Sequence, residues 1–460
     1  MNLTTTICAI ATAPGGAIGI IRLSGPRSIE LVDQLFTPSS GLPLSQRKAG
    51  SQTFGTISYQ GEILDEVLVS LFRAPHSYTG EEAVEISCHG SSYILQQVFH
   101  QLLHVGAQMA TPGEFTQRAF LNGKMDLSQA EAVADLIAST SSATHRLAMS
   151  QMRGNFSKEL HVLRDRLLEI TSLLELELDF SEEDVEFADR TKLQQLADHI
   201  AQKISSLASS FNLGNVLKNG IPVAIIGETN AGKSTLLNAL VGEDRAIVSD
   251  IHGTTRDVIE DTVNLGGLTF RFIDTAGIRE TTDAIETLGI ERTFQKLDAA
   301  HIVLWMIDAT QGITLGAAND ILAHSEGKEL LLLFNKCDLI DKATRTRLSQ
   351  WADAQGKPYL FLSAKQQQNI SDLQQRLLKA AAVPTISQGD IIVTNARHYE
   401  ALTRALGAIE RVQQGLEQDL SGDLISEDLR ECLHHLADIV GEVTDDDVLG
   451  NIFKNFCIGK

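Results

Sequence analysis

The chain has 460 residues and a mass of 50.0 kDa, and its 43% hydrophobic content can build cores for roughly two or three domains. Its net charge of −21, from 59 acidic and 38 basic side chains, argues against broad nonspecific attraction to nucleic acid or anionic membranes. The apolar start Ile7–Ile21 lacks a basic leader and is broken by Pro14-Gly15-Gly16, so we expect neither a membrane span nor a signal peptide, and a cytoplasmic location.

The five cysteines are an odd number with no C-x-x-C pair, which fits a reducing compartment and no disulfide framework. They are Cys8, Cys88, Cys337, Cys432 and Cys457. Cys432 with His434 and His435 would offer zinc ligands, but their spacing on an amphipathic helical pattern favours an ordinary helix face over a metal site.

Residues 1–120 alternate strand-like and helical stretches, which is the pattern of an α+β domain. The predicted strands are Ile18–Leu23, Thr53–Tyr59, Glu66–Phe72 and Ala83–Cys88, and the predicted helices are Pro26–Leu35 and Ser91–Val105. The prominent charged residues are Arg22, Arg73, Glu81, Glu82, Glu85, Arg118 and Lys124. Spacing does not say which of them are functional, and each taken singly is expected on a solvated face.

From Asp126 the pattern is helical for about ninety residues, with leucines at intervals of three and four, and it resumes in Tyr399–Leu416 and Leu424–Val440. A different pattern separates these two helical parts. Removing residues 219–380 would join helices to helices, so we predict a helical domain, 121–218 with 381–460, that carries an inserted domain of ordinary size.

The inserted segment opens with Gly227-Glu-Thr-Asn-Ala-Gly232-Lys233-Ser234, which fits G-x-x-x-x-G-K-[ST] and lies between a strand-like run, Ile221–Ile226, and a helical one, Ser234–Leu240. Such a turn directs backbone N–H groups and the positive end of a helix at phosphate oxygens. Lys233 would reach the β- and γ-phosphates, and Ser234 would hold Mg²⁺. The alternative is a glycine-rich turn that only links two elements.

Four further motifs follow. Gly253-Thr254-Thr255-Arg256-Asp257 would supply Thr255 to the Mg²⁺, and Asp274-Thr275-Ala276-Gly277, after Leu268–Ile273, has the form of a γ-phosphate sensor. Asn335-Lys336-Cys337-Asp338 ends the run Leu330–Phe334, and Ser363-Ala364-Lys365 ends Tyr359–Leu362 and would close the base pocket. Asp338 can accept two hydrogen bonds from guanine, a match that can reject adenine by about 10⁴-fold. The motifs in this order predict GTP as the nucleotide.

The remaining strands of the insert alternate with helices, and Ile259–Val263 and Leu268–Ile273 flank Gly266-Gly267, a hairpin pattern. This arrangement predicts a Ras-like, doubly wound α/β domain with a mostly parallel sheet and an antiparallel edge.

Ras-like GTPases orient the attacking water with a glutamine at the position where this chain has Ile278. A carboxylate of the following stretch, Glu280, Asp283 or Glu286, could act instead, and the sequence does not choose among them. Asn230 would either help to hold a monovalent cation against the phosphates or only stabilise its turn. Such a cation could do the work of an arginine finger, about 10³–10⁵ in rate.

The chain resembles the MnmE (TrmE) family of tRNA-modification GTPases over its whole length. The motifs that carry the resemblance are the phosphate loop with Asn230, Gly253–Asp257, Pro112-Gly-Glu-Phe-Thr116, Arg118-Ala-Phe-Leu-Asn-Gly-Lys124 and Phe456-Cys-Ile-Gly-Lys460. It implies a homodimer held by the N-terminal domain, whose G domains are activated by K⁺ through Asn230, Ser249, Ile251 and Thr254. It also selects Glu286 as the residue that positions water.

The implied GTP-binding residues are Asn230, Ala231, Gly232, Lys233, Ser234, Thr235, Ser249, Thr254, Thr255, Asp274, Thr275, Ala276, Gly277, Asn335, Lys336, Asp338, Ser363 and Ala364, with Mg²⁺ held by Ser234 and Thr255.

The resemblance also implies that the N-terminal domain binds a tetrahydrofolate derivative (5,10-methylene or 5-formyl) through Arg22, Glu85, Lys124 and Lys460. With an FAD protein of the MnmG type, in a heterotetramer in which the partner holds most of the tRNA, such a chain forms a 5-carboxymethylaminomethyl or 5-aminomethyl group on the wobble uridine (position 34). Cys457 would be a functional thiol or a packed terminal cysteine.

Two other functions fit the G motifs alone. A ribosome-assembly GTPase of the Era or Der kind shares them, but it would be expected to carry a basic RNA-binding module. A non-enzymatic switch that only regulates assembly would leave the N-terminal domain and the terminal cysteine without a task.

Overall fold

A computed structural model describes residues 4–179, 190–243, 261–273, 297–313, 315–384, 389–443, 446–454 and 456–459. The chain divides into two compact units, the first comprising 1–134, 151–200 and 407–460 and the second 135–150 and 201–406. The boundaries proposed above at 120, 218 and 380 remain a prediction. Over the described ranges, no helix has the length and apolar character that crossing a bilayer requires.

The first unit contains a seven-stranded sheet in the order β3-β4-β5-β6-β2-β1-β7. Its strands are β1 (Ile7–Ile10), β2 (Ile18–Ser24), β3 (Phe36–Pro38), β4 (Gln52–Tyr59), β5 (Glu62–Phe72), β6 (Ala83–His89) and β7 (Gln108–Met109). All neighbouring pairs are antiparallel except β1 with β7. The four predicted strands of this region are confirmed, whereas β1, β3 and β7 were not predicted.

Two helices, α1 (Ser28–Asp33) and α2 (Ser92–His104), pack against this sheet. Alternate strand residues such as Val67, Val69 and Leu71 of β5 form the core with Leu95, Val98 and Leu102 of α2. The period-two burial explains why the strands could be predicted from alternating apolar residues. The α+β fold of this region is confirmed.

The helical pattern after Asp126 is confirmed as a series of helices. They are α4 (Leu127–Ala138), α5 (Ser142–Met152), α6 (Asn155–Asp179) and α7 (Arg190–Asn219), and after the insert α12 (Ala396–Glu417), α13 (Gly422–Val440) and α14 (Asp446–Phe453). The helix α3 (Glu114–Leu121) precedes this series and was not predicted. The leucines of α6 at three- and four-residue intervals, among them Leu160, Leu163 and Leu167, are buried, and α6 packs against α13.

The second unit contains a six-stranded sheet in the order β13-β12-β11-β8-β10-β9. Its elements are β8 (Ile221–Ile226), α8 (Lys233–Glu243), β9 (Asp261–Leu265), β10 (Leu268–Phe272), β11 (Ile302–Asp308), α9 (Leu315–His324), β12 (Glu329–Asn335), α10 (Lys342–Ala354), β13 (Tyr359–Phe361) and α11 (Ile370–Ala380). Every neighbouring pair is parallel except β9 with β10. The predicted mostly parallel sheet with an antiparallel edge is therefore confirmed.

Helices cover both faces of this sheet, so its central strands are apolar without alternation. Val223 and Ile225 of β8 belong to a core with Leu236 of α8 and Leu373 of α11, whereas Ile226 faces a second core with Leu348 of α10. All seven residues of β11 are buried. This is the doubly wound arrangement, which places loops at the carboxyl ends of the strands along one edge.

The turn between β9 and β10 is bound to the α4–α5 connection within the second unit. Gly267, with φ of 83°, accepts a hydrogen bond of 3.2 Å from the backbone N–H of Ala143, and the Asn264 side chain donates to the carbonyl of Thr140 over 2.8 Å. Leu268 packs with Ala143 and Leu147 of α5. The predicted hairpin is confirmed, and its turn is held by a segment more than a hundred residues earlier in the sequence.

Candidate functional site

The loop between β8 and α8 adopts the strand–loop–helix form that its sequence predicts. Gly227 has φ of 145° and Gly232 has φ of 103°, and a β-carbon at Gly227 would collide with the carbonyl of Met306 on the neighbouring strand. Lys233 begins α8, and its Nζ donates to the carbonyls of Gly227 and Glu228, each over 2.7 Å. Only glycine fits these two backbone positions, which explains the spacing of the motif.

The first turn of α8 supplies the donors of a phosphate site. The N–H of Leu236 donates to the carbonyl of Gly232 over 2.9 Å, so the backbone is helical from the end of the loop onward, with its N–H groups directed towards the loop. Ser234 is half-buried and Thr235 is exposed in this turn. Backbone donors, the helix dipole and the Lys233 ammonium together suit an anion such as a nucleotide phosphate. Asn230 lies on the exposed tip of the loop with φ of 62°.

Asn335 brings three of the predicted motifs together. Its side-chain Nδ2 donates to the carbonyl of Ala231 over 2.7 Å, and its Oδ1 accepts from the backbone N–H of Ala364 over 3.0 Å. Asn335 is only 3% exposed, so both bonds are protected from water. A single side chain therefore links the phosphate loop to the ends of β12 and β13, two strands that also pair directly through their backbones.

The segment after Asn335 turns sharply at Lys336, whose φ of 61° and ψ of 37° are left-handed, into a 3-10 turn at Cys337–Leu339 that carries the exposed Asp338. Ser363 exchanges two backbone hydrogen bonds with Gln368, of 3.2 and 3.0 Å, and its Oγ accepts from Gln366. Both segments lie at the carboxyl edge of the sheet. Lys336 Nζ also contacts Asp308 Oδ2 at 2.6 Å.

A second group of predicted residues lies in the first unit. Arg22 and Glu85 are directly opposite on β2 and β6, with Nη2 and Oε1 2.8 Å apart, and Arg22 Nη1 donates to the carbonyl of Gly459 over 3.3 Å. The Arg22 guanidinium lies 5.7 Å from the ring centre of Tyr78 and 5.8 Å from that of Phe115. The C-terminal tail thus reaches the Arg22–Glu85 pair, and the joint role predicted for these segments stays a prediction.

Lys124 lies close to the loop that carries Tyr78. It is exposed, its Nζ donates to the carbonyl of Pro75 over 2.9 Å, and its side chain lies beside Gly80. Cys457 is also exposed, and its carbonyl accepts from the N–H of Gly113, 3.4 Å away. The structure brings Arg22, Glu85 and the tail together and places Lys124 on the adjoining loop.

The expectation of a solvated face is wrong for Arg118. Its side chain is 0% exposed, with Nη2 2.9 Å from Glu114 Oε1 and Nη1 3.2 Å from Glu81 Oε1, and it donates to the carbonyl of Thr5. Charged groups are tolerated inside a protein when they are paired in this way. Arg118 and Glu81 are 37 residues apart in the sequence, so spacing alone does not reveal that this arginine pairs with two carboxylates.

Two family models match the chain: "GTP-binding protein TrmE N-terminus" over residues 6–124 and "MnmE helical domain" over residues 127–457. A Bacteroides fragilis protein named tRNA modification GTPase MnmE is 66% identical, covering 99% of each chain. The protein of that name from Porphyromonas gingivalis is 49% identical over 99% of this chain and 98% of its own length. The chain belongs to the MnmE family of tRNA modification GTPases.

Among solved structures, Aquifex aeolicus Era bound to GDP and AlF₄⁻ is 28% identical, covers 41% of this chain and 66% of that chain, and has a TM-score of 0.29. The MnmE-family matches extend over the N-terminal and helical regions. They therefore favour the MnmE interpretation over the ribosome-assembly GTPase and the regulatory switch that the G motifs alone also allowed.

Several residues that the MnmE resemblance selects lie outside the described residues. They are Ser249, Ile251, Thr254, Thr255, Asp274, Thr275, Ala276, Gly277, Glu286 and Lys460, together with the alternatives Glu280 and Asp283. Their assignments stay predictions. Within the described ranges, the sequence analysis missed three residues that contact predicted site residues: Asp308, which pairs with Lys336, and Tyr78 and Phe115, whose rings lie beside Arg22. Asp308 could have been noticed as the lone carboxylate that ends the fully apolar run Ile302–Ile307.

Proposed function

We propose that this chain binds and hydrolyses GTP and uses that cycle, with an FAD protein of the MnmG type, to modify the wobble uridine of certain tRNAs. The observation that carries the nucleotide part is the Asn335 side chain, which ties the phosphate loop to the two segments predicted to hold the base. A nucleotide spanning phosphate and base subsites would meet one preformed surface, which lowers the ordering cost of binding.

In this proposal Lys233 and the first amides of α8 hold the phosphates, with Ala231, Gly232 and Thr235 completing the loop. Asp338 accepts hydrogen bonds from guanine, and Ser363 and Ala364 close the pocket around the base. Ser234 and Thr255 would hold Mg²⁺, which supplies positive charge against the phosphate oxygens. The half-buried Ser234 at the helix start is consistent with this role.

We assign the water-positioning role to Glu286, in the stretch after Asp274–Gly277. Asn230, with Ser249, Ile251 and Thr254, would hold K⁺, which supplies a positive charge near the phosphates. The support for Asn230 is its place on the exposed tip of the phosphate loop. GTP-dependent approach of two G domains, within a homodimer held by the N-terminal domains, would complete the site.

The N-terminal part of the proposal is a site for a tetrahydrofolate derivative formed by Arg22, Glu85, Lys124 and the C-terminal Lys460. It is supported by the contact of Arg22 with both Glu85 and the Gly459 carbonyl, next to the partly exposed ring of Tyr78, which suits a flat heterocycle. A bound folate would supply the one-carbon unit. Cys457, exposed in the same tail, is available for thiol chemistry. We expect a cytoplasmic enzyme.

The decisive experiment for the GTPase is hydrolysis by the purified protein in K⁺ and in Na⁺. Turnover should be stimulated by K⁺, and Glu286→Ala should lower kcat while leaving GTP affinity nearly intact. Equal rates in both salts would mean that Asn230 only stabilises its turn. An unchanged kcat in Glu286→Ala would mean that Glu286 does not position the water. A preference for ATP would reject the nucleotide assignment.

The tRNA part is tested separately by nucleoside mass spectrometry of tRNA from cells that lack the protein. The 5-carboxymethylaminomethyl and 5-aminomethyl nucleosides should disappear and return when the gene is restored. Unchanged levels of both nucleosides would reject a role in wobble-uridine modification, whatever the GTPase assay shows.

A further inference from the structure

Asp308 is the last residue of β11, and it lies opposite Asn335, the last residue of β12, in the parallel register. It is 7% exposed. Its Oδ2 accepts from Lys336 Nζ over 2.6 Å, and its Oδ1 accepts from the backbone N–H and the Oγ1 of Thr310 over 2.9 and 2.7 Å. Both carboxylate oxygens are therefore used, one by the base-recognition motif and one by the loop that follows β11.

Burial of this carboxylate pushes its pKa upward, but the hydrogen bonds from Lys336 and Thr310 outweigh that effect and leave the pKa of Asp308 below its ordinary value. The lowered pKa favours the charged carboxylate, which at the carboxyl edge of the sheet is a partner for the Lys336 ammonium.

Lys336 needs such a partner for two reasons. Its backbone is left-handed, a conformation that is unfavourable for a residue other than glycine. Its long side chain also loses rotamer freedom when it is held in one arrangement. The ion pair with Asp308 is made by protein atoms alone, so both costs are met before any ligand binds.

We propose that Asp308, which belongs to none of the nucleotide-binding motifs, is a positioning residue of the guanine site and acts through Lys336. By fixing Lys336 at the start of the turn Lys336–Leu339, Asp308 sets the place from which Asp338 meets the base. On the other side of this turn, the N–H of Cys337 is already held by the carbonyl of Leu362 over 3.2 Å. The inference rests on the proposed GTP binding and adds a residue that determines how tightly the base is held.

The test is the dissociation rate of a fluorescent GDP analogue from the full-length protein. Asp308→Asn keeps the shape and the Thr310 contact but removes the charge, and it should raise the dissociation rate about tenfold, the factor expected for losing one hydrogen bond to a charged group. Lys336→Met, which keeps the aliphatic stem, removes both the pair with Asp308 and the predicted contact of Lys336 with the nucleotide, so it should raise the rate at least as much. In the Lys336→Met background, Asp308→Asn should add nothing. Additive effects of the two substitutions would overturn the positioning role.

Asp341→Asn is the matched control, since Asp341 accepts from the Thr344 N–H at the start of α10 and lies three residues beyond Asp338. It removes one nearby negative charge and should leave the dissociation rate unchanged. If Asp308→Asn fails to fold, Thr310→Val tests the role of Asp308 instead. It removes the hydroxyl that donates to Asp308 Oδ1 without touching Lys336, and the bond from the Thr310 N–H remains. It should therefore raise the rate less than Asp308→Asn does, by about two- to fivefold, and only when Lys336 is present.

The affinities of the unmodified protein for GDP and for ADP distinguish a failure of the proposed nucleotide from a failure of the role of Asp308. Absence of a guanine preference in that protein would reject the proposed nucleotide. A clear guanine preference together with an unchanged dissociation rate in Asp308→Asn or, should that variant not fold, in Thr310→Val would reject the role of Asp308 alone.

Discussion

The side-chain Nδ2 of Asn335 donates a hydrogen bond of 2.7 Å to the backbone carbonyl of Ala231, a residue 104 positions earlier in the chain. Because the same side chain also accepts from Ala364, the phosphate loop, the β12 end and the β13 end are held by one residue. The site depends on long-range contacts of this kind as much as on the motifs themselves.

Asn335→Ala should lower the free energy of unfolding by about 1–3 kcal/mol, because the buried carbonyl of Ala231 and N–H of Ala364 would both lose their partner. GTP affinity should fall about tenfold or more as the base and phosphate segments become independent. Urea unfolding followed by circular dichroism and titration with a fluorescent GTP analogue measure the two effects.

Asn215→Ala is the control for Asn335, since Asn215 accepts from the Asn219 side chain on the exposed surface of α7. It should change neither quantity. If Asn335→Ala kept both stability and affinity, the amide would not be what couples the three segments.

Gly214→Ala should reverse the usual effect of replacing a helical glycine. Alanine normally stabilises a helix by about 1 kcal/mol relative to glycine. At this position in α7, a β-carbon would collide with the backbone carbonyl of Val393, whose N–H is bound to Ser210 Oγ over 3.0 Å. We therefore expect a loss of about 1–3 kcal/mol in the free energy of unfolding.

The matched substitution is Gly407→Ala in α12, where the nearest atom to a β-carbon would be Arg411 Nη1 at 4.0 Å. It should stabilise the protein by about 0.5–1 kcal/mol. If Gly214→Ala and Gly407→Ala shifted the melting temperature in the same direction, the segment 389–395 would not be held against α7 as the structure has it.

Arg118→Met should destabilise the first unit by about 3–5 kcal/mol, because Glu114 and Glu81 would keep their charges in a buried site without the guanidinium. Differential scanning calorimetry would show a lower melting temperature. Arg27→Ala removes an exposed arginine, 53% accessible, from its pair with Glu30 and should leave the melting temperature unchanged. Equal melting curves for both variants would contradict the importance of burial.

Cysteine reactivity should separate the five thiols. Burial raises the pKa of Cys8, Cys88 and Cys432 to about 12, so at pH 8 only about one in ten thousand of each is thiolate. Burial also raises the pKa of Cys337, which is partly accessible, and Cys457 is exposed. Iodoacetamide labelling and peptide mass spectrometry at pH 8 should show Cys457 modified first, Cys337 slowly and the other three only after denaturation.

The same shifts predict a dependence of stability on alkaline pH. The folded protein keeps the three buried thiols neutral up to about pH 12, whereas unfolded thiols ionise from about pH 9. Their contribution is fully present below pH 9 and is lost as the pH rises from 9 towards 12. Replacing Cys432 by Ala should flatten that decline in a urea-unfolding series, and an unchanged slope would contradict it.

Much of the fold follows from local sequence patterns. The run Ile221–Ile226 is a strand with the predicted ends, and the predicted strand Leu330–Phe334 extends by one residue on each side. Glu329 and Asn335 are polar, yet they continue the hydrogen-bond ladder with β11, which a propensity argument does not reveal. These two strands were thus identified by their short apolar runs, and the ends of β12 were set by pairing with a neighbouring strand.

The strand Ile7–Ile10 shows the limit of that approach. The sequence showed that Pro14-Gly15-Gly16 breaks the apolar stretch Ile7–Ile21, and only Ile18–Leu23 was predicted as a strand. Pro14-Gly15 lies in a turn that folds β1 back on β2, with Ile7 opposite Ser24. The polar contacts of the sites escaped prediction for a similar reason. Asp308 and Lys336 are 28 residues apart, and Arg118 and Glu81 are 37 apart, so their pairing depends on sheet register and loop paths.

The hairpin turn at Gly266-Gly267 has a practical consequence for anyone who dissects this enzyme. A fragment cut at 219 and 380 would keep β9 and β10 but leave behind Thr140, Ala143 and Leu147, which contact the turn and Leu268. Water can replace the two hydrogen bonds, but it cannot replace the apolar contact. A truncated protein would therefore be prone to self-association through Leu268, and a polar residue at this position would be the first change to make when designing a soluble fragment.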